Sequence, residues 1–253
     1  MARDRRDFFY KLAKVDGYRS RAAYKLKQIN ERFKIIKNGD TVVDLGASPG
    51  GWLQVAKELS GGKVVGVDIL PIEEIEGVDI IKGDIRLDRT IEKIKGKIAG
   101  KADVVICDAA PNMSGSWSYD HARSIDLATS AFECARKLLK NGGSFAVKVF
   151  QGDMFPNYLN KVRGCFGKVQ AFSPEASRAQ SAEIYIIGEE LLTDAVKMDG
   201  EYEVTIEDTG ASGDGIARIN DFVVFVNDAQ KGEKLKIRIR FIKPNFAFGE
   251  RIA

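Results

Sequence analysis

Apolar residues along the chain follow two rhythms, and one gives way to the other near residue 190. From residue 41, short β-branched runs alternate with stretches whose apolar positions recur every three to four residues. The first rhythm predicts strands at 41–45, 63–68, 78–82, 102–107, 144–150, 168–172 and 183–188, with helices at 50–59, 88–97, 118–140 and 153–165. The first five strand runs are continuously apolar rather than alternating, which implies burial on both faces and hence an α/β fold with a mainly parallel sheet covered by helices. Upstream, Ala22, Ala23, Leu26, Ile29 and Phe33 form a helical stripe, with Arg19, Arg21, Lys25, Lys27 and Arg32 between them. Beyond residue 190 the helical pattern is absent, and strand-like runs at 202–207, 222–226 and 234–242 are separated by Gly, Asp and Asn turns. Two domains are therefore expected, 1–190 and a small all-β barrel at 191–253. In the barrel, strict alternation points Leu235, Ile237, Ile239 and Phe241 inward and lines the opposite face with four cations. These sit about 7 Å apart, a spacing that suits a phosphate backbone or a charge-guarded edge strand equally well.

At 253 residues and 44% hydrophobic content, the chain can bury a full core. It has no apolar run of membrane-spanning length, and residues 1–6 lack the apolar centre of a signal peptide, so a soluble cytoplasmic protein is expected. Cys107, Cys134 and Cys165 are an odd, scattered set without a C-x-x-C pair, which argues against disulfides, zinc and iron–sulfur clusters. The net charge of +3 hides an asymmetry: residues 1–37 carry +8, residues 191–253 carry −2 and the middle −3. A basic leading segment suggests a polyanionic partner, nucleic acid first among them, although the stretch 3–14 alone reads equally well as a solvated, partly disordered tail.

The densest chemical signal is the run 42–52, Val-Val-Asp-Leu-Gly-Ala-Ser-Pro-Gly-Gly-Trp, a strand that opens through Gly46, Gly50 and Gly51 onto a helix N-terminus. Missing Cβ atoms let a ligand approach the backbone, and the helix start offers unpaired N–H groups and a positive dipole end. A dinucleotide fingerprint would need glycine where Ser48 stands, and no phosphate loop ending in Gly-Lys-Ser/Thr is present. What remains matches the first motif of S-adenosylmethionine-dependent methyltransferases, although a plain strand-to-helix turn has the same local look. Three carboxylates then close predicted strands: Asp68, placed to hold a ribose diol; Asp84, in reach of an adenine amino group; and Asp108.

At this point the chain resembles the RrmJ/FtsJ (RlmE) family of ribosomal-RNA ribose 2′-O-methyltransferases. The matching runs are Ser-Arg-Ala-Ala-Tyr-Lys-Leu at 20–26, the glycine turn, Asp-Ala-Ala-Pro-Asn-Met-Ser-Gly at 108–115, Val-Lys-Val-Phe-Gln-Gly at 147–152 and Ser-Ala-Glu-Ile-Tyr at 181–185. The resemblance implies a Rossmann-like class I methyltransferase fold with a seven-stranded sheet, one closing strand antiparallel. It implies catalytic residues Lys148, Lys25, Asp108 and Glu183, with S-adenosyl-L-methionine held by Gly50, Trp52, Asp68, Asp84 and Asp108. It also implies transfer to a uridine 2′-hydroxyl in large-subunit (23S) rRNA, on naked RNA or the large ribosomal subunit, by a monomer that needs no metal. Strand rhythm and the turn Gly-Ala-Ser-Gly-Asp-Gly-Ile-Ala at 210–217 resemble a TRAM domain, an RNA-binding barrel fused to such enzymes in archaea.

Methyl transfer to a hydroxyl needs a base and alignment rather than a metal, because the leaving group departs neutral. Lys148, between apolar neighbours, is the favoured base, with Asp108 orienting it and Lys25 and Glu183 positioning the ribose. Burial and Lys25 would lower its pKa whereas Asp108 and Glu183 would raise it, so the sign stays open. His121 reads as a helix-start or surface residue, and Trp117 and Tyr119 as stacking surfaces for a base or as packing. RNA is expected to bind through Arg19, Arg21 and the barrel. A tRNA ribose methyltransferase and a non-catalytic ribosome-assembly factor are the competing readings.

Overall fold

The computed structural model describes residues 2–178, 181–210 and 213–252, with side chains from residue 8 onward. Its chain divides into two compact units near residue 190, the short segment 165–167 grouping with the second. In the first, helices α1 (Ala2–Val15) and α2 (Ala23–Phe33) precede β1 (Val42–Leu45), α3 (Gly51–Ser60), β2 (Val64–Asp68), β3 (Val78–Lys82), α4 (Asp88–Ile98) and β4 (Ala102–Cys107). There follow α5 (Trp117–Leu138), β5 (Leu139–Phe150), α6 (Phe155–Arg163), β6 (Phe166–Phe172) and β7 (Glu183–Leu191). The seven strands form one sheet in the order β3-β2-β1-β4-β5-β7-β6. Val42, Val43, Val64, Val65, Val105 and Ile106 are fully buried within it, as their unbroken apolar runs predict.

Direction and register place the chemistry. β1, β2, β4 and β5 run parallel, so their C-terminal ends share one rim. β7 runs antiparallel beside β5, pairing Glu183 with Phe150 and Tyr185 with Lys148. The start of β7 therefore reaches the rim where the other strands finish. Stretch 3–14 is a helix rather than a tail: Ala13 is buried, and Phe9 and Leu12 pack on the core beside Tyr24. No helix of the described residues is long and apolar enough to cross a membrane.

The second unit holds β8 (Glu201–Thr205), β9 (Asp208–Thr209), β10 (Gly215–Ile219), β11 (Phe222–Val226), β12 (Lys234–Ile242) and β13 (Phe246–Arg251), ordered β8-β12-β13-β11-β10-β9. Its own core includes Val204, Ala217, Val224, Ile237, Ile239 and Ala247. Two expectations for 234–241 change. A register shift between Ile239 and Phe241 breaks the alternation, so Ile237 and Ile239 point inward while Phe241 turns out to solvent. β12 is also internal to the sheet, so its cations guard no edge, and they are largely paired: Lys236 and Arg238 with Glu201, Arg240 with Asp199 and Glu250. Of the turn 210–217, Ala211 and Ser212 lie outside the described residues.

Candidate active site

Four side chains from four elements meet at the rim. Lys25 comes from α2, Asp108 from the end of β4, Lys148 from β5 and Glu183 from the first position of β7. Lys148 Nζ lies 2.8 Å from Asp108 Oδ1 and donates to the Asp108 carbonyl at 2.5 Å. Lys25 Nζ lies 2.8 Å from Glu183 Oε1 and 3.9 Å from Asp108 Oδ1. Lys25 and Lys148 are 8% exposed and Glu183 9%, so two lysines and two acids share one nearly dry wall. Such charges are tolerable in burial only as mutual partners. Tyr185, fully buried beneath them, donates to Asp108 Oδ1 at 2.6 Å, and the Lys25 ammonium stands 5.7 Å above its ring.

The charge balance settles the sign that the residues alone left open. Burial pushes Lys148 down, but the Asp108 charge and hydrogen bond, aided by Glu183, outweigh it and raise its pKa, so the resting side chain is an ammonium. Burial likewise pushes Asp108 up, and Lys148 and Lys25 with the Lys148 and Tyr185 hydrogen bonds outweigh it, leaving a carboxylate below its usual range.

The glycine turn lies on the same rim. Gly46 has φ +76° and its missing Cβ would strike Ala109, so β1 passes against the end of β4 only as glycine. Gly50, at φ +111°, caps α3 without a side-chain hydrogen bond, which leaves the first-turn N–H groups to an outside acceptor. Asp44, at the middle of β1, is fully buried with both carboxylate oxygens unpartnered. Burial first, then the charges of Asp108 and Asp68, push its pKa well above the carboxylate range. Asp68 accepts from the Ser48 and Leu70 N–H groups at 2.9 and 2.8 Å. Asp84 is gripped by Arg86 at 2.5 Å, which lowers its pKa. Trp52 is buried; its indole N–H donates to the Ala22 carbonyl at 2.7 Å and its ring lies 5.8 Å from that of Tyr185, so the side chain ties the turn to α2.

Other residues sit differently from expectation. Arg19 spends its guanidinium on the Pro49, Glu73 and Glu74 carbonyls, and Arg21 donates to the Ala176 carbonyl, so both clamp backbone. His121 does lie near a helix start, but it is buried, not a surface residue: its Nε2 accepts from the Met154 N–H and Trp117 stacks on its ring. Asp44, Tyr185 and Asp120 were not singled out from the sequence. Asp120, buried in the first turn of α5, accepts from Ser114 N, Ser114 Oγ and Gly115 N at 2.8, 2.8 and 3.1 Å and so fixes the loop after Asp108. A Ser-Gly pair five or six residues before an acid at a helix start is the signal that would have found it.

Similar proteins identify the family. Residues 18–191 match the FtsJ-like methyltransferase family and residues 200–252 the TRAM domain. The chain is 63% identical over 252 residues to the ribosomal RNA large subunit methyltransferase E of Methanosarcina mazei, covering 99% of this chain and 94% of that one. It is 46% identical over 253 residues to the protein of that name from Halobacterium salinarum, covering 98% of each. A crystal structure from Plasmodium falciparum, described as a ribosomal RNA methyltransferase, superposes with a TM-score of 0.64 at 29% identity, covering 69% of this chain and 98% of that one. The family's cofactor is S-adenosylmethionine. With an intact glycine turn, a parallel sheet ending in carboxylates and a match over 18–191, the chain belongs to the FtsJ-like methyltransferases, with a TRAM domain following.

Proposed function

We propose that this chain transfers a methyl group from S-adenosyl-L-methionine to the ribose 2′-hydroxyl of a uridine in large-subunit (23S) ribosomal RNA, with Lys148, Lys25, Asp108 and Glu183 as its catalytic group. The carrying observation is the convergence of these four, distant in sequence, within 3.9 Å contacts on one buried wall beside the glycine turn. Full-length relatives named as large-subunit rRNA methyltransferases support the substrate. That substrate places the work in the cytoplasm. We assign 1–190 to catalysis and 191–253 to RNA binding. In the second unit Phe225, Phe241, Phe246 and Phe248 form one ring cluster with centroids 5.6 to 6.4 Å apart, Phe241 and Phe248 exposed, and Lys243 sits 5.1 Å over Phe241. Stacking rings beside a cation suit unpaired bases.

The residues of the turn fit the cofactor. Uncapped N–H groups after Gly50 and at Trp52 suit its carboxylate, the orphaned Asp44 carboxyl lacks the donors that an ammonium would supply, and Asp68, Asp84 and Asp108 line the rim. When bound it supplies a methyl group on a cationic sulfur. The protein must then position the ribose and remove a proton. Lys148 starts as an ammonium held by Asp108, so its action as base requires prior loss of that proton, and Asp108, pinned by Tyr185, keeps the amine aimed. Lys25, locked to Glu183, presents fixed donors and acceptors to the sugar hydroxyls. Single-turnover rates are expected to rise with pH toward the amine range and Lys148→Ala to lose about 100-fold or more, as a general base typically supplies. A flat pH profile would remove Lys148 from this role. The substrate is tested in cells lacking the gene: a 2′-O-methyl group missing from large-subunit RNA and restored by wild type but not by Lys148→Ala is expected, whereas a loss confined to tRNA would move the substrate.

A further inference from the structure

We infer that Trp117 is the stacking surface for the nucleobase whose ribose lies at Lys148, a positioning residue for the RNA; this rests on the proposed ribose methylation. Trp117 is 50% exposed, yet what lies behind it is fully built. Its ring stacks on His121, with centroids 6.0 Å apart and planes 16° apart, and on Phe150 at 6.1 Å and 26°. His121 is in turn fixed by the Met154 N–H and by the Gly152 backbone, where any Cβ would strike the imidazole. A tryptophan held so firmly from beneath and left open above is a platform rather than a loose side chain.

Its place favours the base of the target nucleotide. Phe150 is two residues beyond Lys148 on β5 and so shares its sheet face, about 7 Å along the strand. Trp117 follows the loop that begins at Asp108, and Asp120 locks that loop through Ser114 and Gly115. Beside it, Tyr119 is exposed with the Arg123 guanidinium 5.4 Å over its ring, adding a cation to the aromatic surface. A ribose delivered to Lys148 carries its base by one bond, and an unstacked base regains on an indole the stacking that it loses in RNA. Because every base has a π-face, Trp117 supplies affinity and alignment rather than base identity.

The two tryptophans make this measurable. Trp52 is buried, so emission accessible to a soluble quencher comes from Trp117. Titrating the full chain with an unmodified large-subunit RNA transcript should quench that emission and protect it from acrylamide. Trp117→Ala should raise the KM for the transcript about tenfold or more, as loss of one stacked base does, with cofactor affinity and the modified position unchanged. Trp117→Phe, which keeps a ring over His121 and Phe150, should stay within about threefold of wild type. An unchanged KM in Trp117→Ala, or unquenched emission on RNA binding, overturns the inference while ribose methylation by wild type continues. Wild type that methylates no ribose overturns the parent reading instead.

Discussion

Lys148 and Asp108 hold one another charged, and the sign of each shift fixes where that matters. Lys148 is raised in the folded state, so its contribution is complete below the unfolded lysine value near 10.4 and fades as pH climbs beyond it. Asp108 is lowered, so its contribution is complete above about 3.9 and fades as pH falls. Asp108→Asn should therefore cost about 3 kcal/mol, constant from about pH 5 to 9 and smaller at both ends, in thermal unfolding. Asp44 has the opposite sign: its raised pKa means that ionisation opposes folding increasingly above the ordinary carboxylate range. Asp44→Asn removes that ionisation, so the variant's stability should fall less with rising pH than wild type's while its cofactor affinity weakens in calorimetry; a pH dependence as steep as wild type's would contradict it. Lys148 was legible in the sequence because an ammonium amid Val147 and Val149 is costly unless used. Tyr185 was not, because the partner of its hydroxyl lies 77 residues away and only the fold brings them together.

β2, β4 and the end of β5 were legible because their buried runs are almost wholly apolar, whereas β3 lies at the sheet edge and is only half-buried rather than covered on both faces; what the pattern lacked was register. Ser114 and Asp120 look like loop and cap residues until the bonds between them are seen, and one bulge in β12 reverses Phe241. The short β9, two residues long, and β13, interrupted by glycine, carry too little alternation to be read. The glycine turn was fully legible, and its geometry makes it testable. Gly46→Ala forces a Cβ against Ala109 at φ +76°, and should cost about 2 to 4 kcal/mol in denaturant unfolding as well as loosening cofactor affinity. A variant as stable as wild type would show that β1 can slide from β4.

Across the whole chain, one unit supplies a charged, buried wall and the other an exposed aromatic face. The sequence left the cations at 234–241 open between a phosphate-backbone contact and a charge-guarded edge, and the structure pairs most of them with acids and turns Phe241 and Phe248 outward. Phe241→Ala with Phe248→Ala should weaken large-subunit RNA binding about tenfold or more in fluorescence anisotropy and leave cofactor affinity unchanged; unaltered RNA affinity would assign that face to another partner. Nucleoside mass spectrometry of large-subunit RNA, after incubation with purified protein and methyl-deuterated S-adenosylmethionine, bears on the catalytic wall itself. The deuterated methyl should appear on a ribose with wild type and vanish with Lys148→Ala; label on a base, or equal label from both proteins, would contradict the account.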